Sequence, residues 1–135
     1  RQGTGQVQLP VDQSGPYVQV TTMGTTEPFL VDTGATKSSI AHAKVPGAPL
    51  SGSSNVSVGF SGTPVVSPVS RPLDVVIGPH KLRSSLILTS HCQENLLGFD
   101  LLKRLHATIY CFPEGVHVTL GPRTIRHCYV SKSDP

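Results

Sequence analysis

The chain has 135 residues, 37% of them hydrophobic, and a formal net charge of +3. That length fits one domain, 1–135, with a core of its own. The Lys and Arg residues are scattered rather than gathered on one stripe, which argues against a nucleic-acid module, and no apolar run approaches the length of a membrane span.

Gly 13 and Pro 12 point to frequent turns, and Trp is absent. Abundant Val, Thr and Ser favour strands. The first fifteen residues are polar and Gly-rich and predict an extended N-terminal arm. YVQVTTM (17–23) alternates as a strand does, Gly24-Thr25-Thr26 reads as a turn, and EPFLVD (27–32) returns, so 17–32 is predicted to be a hairpin. SSIAHA (38–43) predicts a short strand, and AKVPGAPLSGSS (43–54) a loop.

Residues 55–70 carry strand pattern on both sides of Gly59-Phe60-Ser61-Gly62. Two apolar arms around a glycine-rich tip predict a projecting hairpin, with its base reaching residue 78. Pro64 and Pro68 exclude the second arm from a central position in a sheet. Residues 72–78 and 84–89 read as strands. ENLLGFDLLKRLHA (94–107) is the one helical pattern, with Leu97, Leu101, Leu102 and Leu105 on one face. Three more strand-like runs follow at 107–112, 115–120 and 124–130. The sum is a mainly β chain with one short helix.

Cys92, Cys111 and Cys128 are odd in number and widely spaced. They suit neither a disulfide framework nor a zinc site and read as ordinary thiols of a reducing compartment. The six histidines do not fall at ligand spacing, so no metal and no cofactor is expected. No signal peptide is expected at the N-terminus, although a start at Arg1 rather than Met suggests trimming.

The stretch FLVDTGATKSS (29–39) raises the chemical question. An apolar run drives into Asp32, and a carboxylate at the edge of a core needs partners. Taken alone, Asp-Thr-Gly is a weak signal, because a turn aspartate bonding its own backbone has the same look. Its context strengthens it. The motif continues to Ala35 and Ser38, a glycine-tipped hairpin follows, and then Leu96-Leu97-Gly98-Phe99-Asp100-Leu101-Leu102 opens the helix.

In this combination the chain resembles the retroviral aspartic proteases (retropepsins). The gammaretroviral and related endogenous-element branch is the nearest, through FLVDTGA (29–35) and LLGFDLLKRLHATI (96–109). The resemblance spans roughly residues 17 to 112. It implies a closed-barrel-like, homodimeric fold and an aspartic endopeptidase that cuts a retroviral-type polyprotein at extended, hydrophobic sites. Asp32 would be catalytic and would face Asp32 of a second copy, because one chain carries a single Asp-Thr-Gly. Thr33, Gly34 and Ala35 would complete the active-site loop, Thr33 by bonding across the dimer. Gly59, Phe60, Ser61 and Gly62 would be the flap over the substrate. Gly98, Phe99 and Asp100 would be structural near the dimer floor. The resemblance further implies a place in the virion or cytoplasm, as part of a Gag-Pol-type polyprotein. It implies no nucleic-acid or membrane partner, and better activity in mildly acidic buffer.

The sequence departs from the family pattern at one place. Relatives generally have Arg where this chain has Phe99, and in several that Arg pairs with an acid just after Asp-Thr-Gly-Ala. The matching positions here are Thr36 and Lys37. Both halves of the pair are missing together, so neither charge is left alone, and Phe99 is expected to make an apolar contact at the dimer floor. Residues 113–135 exceed the compact family norm and are expected to form strands at the dimer interface. The alternative reading is an inactive or precursor module that dimerises or binds extended peptides without turnover. Asp100 is expected to engage backbone N–H groups at the helix start, and Asp74 to sit in a strand at the base of the flap.

Overall fold

The computed structural model of the chain describes residues 6–8, 16–58, 62–90, 94–121 and 127–132, with only the backbone course at 6–8 and 127–132. Its strands are β1 (Gln6–Gln8), β2 (Tyr17–Thr22), β3 (Thr25–Val31), β4 (Ser39–Ala41), β5 (Leu50–Val58), β6 (Pro64–Ser70), β7 (Leu73–Ile77), β8 (His80–Ser84), β9 (Ile87–Thr89), β10 (Asn95–Leu97), β11 (Thr108–Phe112), β12 (Gly115–Leu120) and β13 (His127–Lys132). One turn of 3-10 helix covers His42–Lys44, and one α-helix, α1, covers Phe99–Arg104. The molecule is thus mainly β, as its Val- and Thr-rich strands predict.

Nine strands form one sheet in the order β5-β6-β9-β4-β10-β3-β2-β7-β8, and four form a second, β1-β13-β12-β11. The predicted hairpin at 17–32 is present, but its turn is Met23-Gly24, and Thr25 and Thr26 already belong to β3. Met23 and Gly24 both have positive φ, at 50° and 76°. That is the backbone a two-residue hairpin needs to follow strand twist. The core gathers Val18, Val20, Phe29, Ile40, Val75, Ile77, Leu86, Leu88, Leu97 and Leu101, with Val118 and Leu120 from the second sheet. Alternation does the sorting in β7, where Leu73, Val75 and Ile77 are buried and Asp74 is exposed. Asp74 is held on the surface by Arg83, with Nη1 to Oδ1 at 2.8 Å.

Four expectations are corrected. Residues 50–54 are strand rather than loop: β5 starts at Leu50, and a register shift between Leu50 and Ser54, with Gly52 at φ +88°, accommodates the irregularity. His80–Ser84 is a strand that the sequence pattern did not announce, formed as the return arm of a β7–β8 hairpin. The stretch 94–107 splits: Asn95–Leu97 is a strand, and helix exists only from Phe99 to Arg104. Finally, β6 is not at a sheet edge, because Val69 pairs with Ile87 of β9. The prolines survive there for a reason of parity. Ser70 donates its N–H to Leu86 O, away from β5, and Pro64 and Pro68 share the parity of Ser70. Their missing N–H groups therefore point away from the β5 ladder, along a side where β9 is met only at Val69.

The topology around β10 positions everything that follows. β10 runs parallel to β3 (Leu97 opposite Val31) and antiparallel to β4 (Leu96 opposite Ser39). It therefore lies between two strands that are consecutive in the chain. The connection from Val31 to Ser39 must cross the end of β10, at the point where Gly98 leads into α1.

Candidate active site

Asp32 stands at the end of β3 and is half-buried. Its N–H donates to Leu97 O at 3.0 Å, so the last ladder bond of the β3–β10 pair fixes its backbone. Its Oδ1 accepts the N–H of Gly34 at 2.9 Å. This bond, side chain to backbone two residues on, is that of an Asx turn, and a turn aspartate of no chemical consequence would make it too. Its other carboxylate oxygen, Oδ2, takes no hydrogen bond among the described residues. The loop closes with Ala35 N–H on Asp32 O at 3.2 Å. Thr33 and Gly34 are exposed, and Ala35 is half-buried. A Cβ on Gly34 would lie 3.3 Å from Asp32 Oδ1. A side chain there would crowd the carboxylate and the approach to it.

The far part of the loop is clamped onto the start of α1. Phe99 N–H donates to Ala35 O at 2.7 Å and Asp100 N–H to Thr36 O at 3.2 Å. Gly98 is buried at the crossing, where an added Cβ would meet the carbonyl carbon of Lys37 at 2.7 Å. Asp100 Oδ1 accepts Leu101 N–H at 2.8 Å, which is the helix-start role expected of it. Within its own chain Phe99 is 50% exposed, and the Lys103 ammonium lies 5.2 Å from its ring centroid. No ion pair joins the loop to the helix among the described residues.

Of the hairpin expected over the site, β5 and β6 are present as antiparallel strands, with Val56 opposite Val66 and Val58 opposite Pro64. These four residues share one face and are exposed, Val58 at 71%. Gly59, Phe60 and Ser61 lie outside the described residues; Gly62 is exposed with φ +79°. Of the cysteines, Cys111 is a free, exposed thiol, Cys92 lies outside the described residues, and for Cys128 only the backbone is described. Among the described residues no group of three or more His, Cys, Asp and Glu comes together in a way that could hold a metal ion. None of their helices is long and apolar enough to cross a membrane.

Sequence reasoning missed Asn95. It is buried in β10, accepts Ala41 N–H at 2.9 Å and donates to Pro28 O at 3.3 Å, stitching β10 to its neighbours on both sides. The signal was available, since a buried polar residue opening an apolar run needs partners. Glu94 was also missed as the acceptor of the Tyr17 hydroxyl.

Comparison with known proteins gives this geometry a class. The family model described as retroviral aspartyl protease matches residues 12–110. The chain is 35% identical over 108 residues, 80% of its length, to the Gag-Pol polyprotein of Gibbon ape leukemia virus, of which it spans 6%. The chain belongs to the retroviral aspartyl protease family and is of the gammaretroviral type.

Proposed function

We propose that the protein is an aspartic endopeptidase of a Gag-Pol-type polyprotein, active as a homodimer. The observation that carries the proposal is Asp32, a half-buried carboxylate at a strand end, with Oδ1 oriented by Gly34 N–H and Oδ2 without a hydrogen bond among the described residues. It lies inside the segment that matches the family. A second carboxylate completes the site, and a copy of the same chain supplies it about a two-fold axis. Two carboxylates about 3 Å apart cannot both ionise, so they share one proton, as aspartic-protease dyads do. At one pH, one of them takes a proton from water as that water attacks the scissile carbonyl. The other protonates the departing nitrogen.

The β5–β6 hairpin is the flap in this reading, with Gly59, Phe60, Ser61 and Gly62 at its tip. Its exposed valines give an extended, hydrophobic peptide an apolar face to lie against. Closure then excludes water from the reaction. The strands of residues 113–135 serve the dimer interface, together with Gly98, Phe99 and Asp100 at its floor.

Cleavage by such a dimer is second order in chain at low concentration. With a polyprotein substrate, the rate per chain should rise with dilution reversed, in step with the dimer fraction seen by sedimentation. A monomer that binds extended peptide at every concentration and never cleaves it would instead establish a non-catalytic module.

A further inference from the structure

We infer that Ser38 and Asp100 form the positioning pair that holds the Asp32 loop in its reactive geometry, an inference that rests on the protease reading above. Ser38 is fully buried. Its Oγ accepts the N–H of Gly98 at 2.8 Å and donates to Asp100 Oδ1 at 2.8 Å. The direction is fixed, because a backbone N–H can only donate. The same Oδ1 takes Leu101 N–H at 2.8 Å. One hydroxyl thus links the end of the Asp32 loop, the crossing glycine and the first turn of α1.

Phe99 is half-exposed and Thr36 and Lys37 make no ion pair with the helix among the described residues, so the side-chain link between the loop and the helix is this part-buried hydroxyl-to-carboxylate bond. Hydrogen bonds to a charged acceptor are stronger and shorter than neutral ones. Removing the hydroxyl also strands Gly98 N–H in a buried place without a partner. Neither side chain bonds the Asp32 carboxylate, so the pair acts through the loop. A displacement of about 1 Å in a reacting group costs on the order of 10²-fold in rate.

The test compares the wild-type chain with Ser38→Ala, Asp100→Ala, Asp100→Asn and the double Ser38→Ala/Asp100→Ala. Active sites are counted by titration with a hydroxyl-bearing transition-state mimic, and kcat and KM are measured on a peptide substrate. Per titrated site, kcat should fall about 10- to 100-fold in both alanine variants, with KM changed less than about 3-fold. Asp100→Asn keeps an acceptor oxygen for both bonds and should hold kcat within about 3-fold of wild type. The double variant should lose little beyond Ser38→Ala alone, since both changes remove one contact. Unchanged kcat per titrated site in the alanine variants, with the loss confined to the number of sites, would overturn the inference and leave a role in folding only. If Ser38→Ala does not fold, the two Asp100 variants decide by the same criteria. Wild-type cleavage with unaffected variants defeats the inference alone; absence of Asp32-dependent cleavage in the wild type defeats the protease reading and the inference together.

Discussion

Asp32→Asn is expected to remove hydrolysis and leave the fold and the proposed dimer intact. The amide is nearly isosteric with the carboxylate, and its oxygen can still accept the Gly34 N–H that Oδ1 now takes at 2.9 Å. The backbone bond from Asp32 N–H to Leu97 O does not depend on the side chain. What is lost is proton exchange: an amide neither takes a proton from water nor returns one near neutral pH. In a homodimer the single substitution removes the base and the acid at once. Each such role is worth about 10²- to 10⁴-fold, so the rate should drop by at least about 10³-fold. Matched thermal melts and sedimentation profiles beside an assay of cleavage test this. Cleavage at the wild-type rate by the pure variant would end the assignment of Asp32.

Gly98→Ala is expected to damage stability and activity together. The added Cβ would lie 2.7 Å from Lys37 C and 2.8 Å from both Ala35 O and Lys37 O. All three are backbone atoms, so no side-chain rotation relieves the clash. Either the loop moves off α1 or the chain unfolds. Overpacking of this kind costs about 1–3 kcal/mol, occasionally more, enough to lower Tm by several degrees in a small domain. In the molecules that do fold, a displaced loop carries Asp32 with it, and cleavage should fall by about 10²-fold. A melt and a rate indistinguishable from wild type would show that the crossing is looser than these distances state.

Both effects originate in topology, and topology is what the sequence conceals. Strand existence was legible where apolar and polar residues alternate, as in Tyr17–Thr22 and Leu73–Ile77. The strand at Asn95–Leu97 was not. Its leucines join those of α1 in one helical pattern, and only its placement between β3 and β4 makes it extended. Tertiary context overrides local preference there. Gly98 marks the break, and the reason for a glycine is visible only once the loop is seen to pass over it.

The site was legible in a similar, partial way. The Asp-Thr-Gly motif, its apolar approach and the family pattern single out Asp32 as the candidate, and the structure places it half-buried at the end of β3. The role of Ser38 was hidden, because its partner Asp100 is 62 positions away. Phe99, expected to make an apolar contact at a dimer floor, is half-exposed in the single chain. In the proposed homodimer such a residue is read only together with the second copy, since a surface of one chain can be an interior of two.

In the proposed enzyme Asp32 is completed by Asp32 of another copy. A crystal structure of the protein bound to a hydroxyl-bearing transition-state mimic tests it most directly, through the distance between the two carboxylates. The expected result is a two-fold axis between them, carboxylate oxygens about 3 Å apart and the mimic's hydroxyl between the pair. Asp32 carboxylates far apart in the assembly, with the mimic bound elsewhere or not at all, would contradict it.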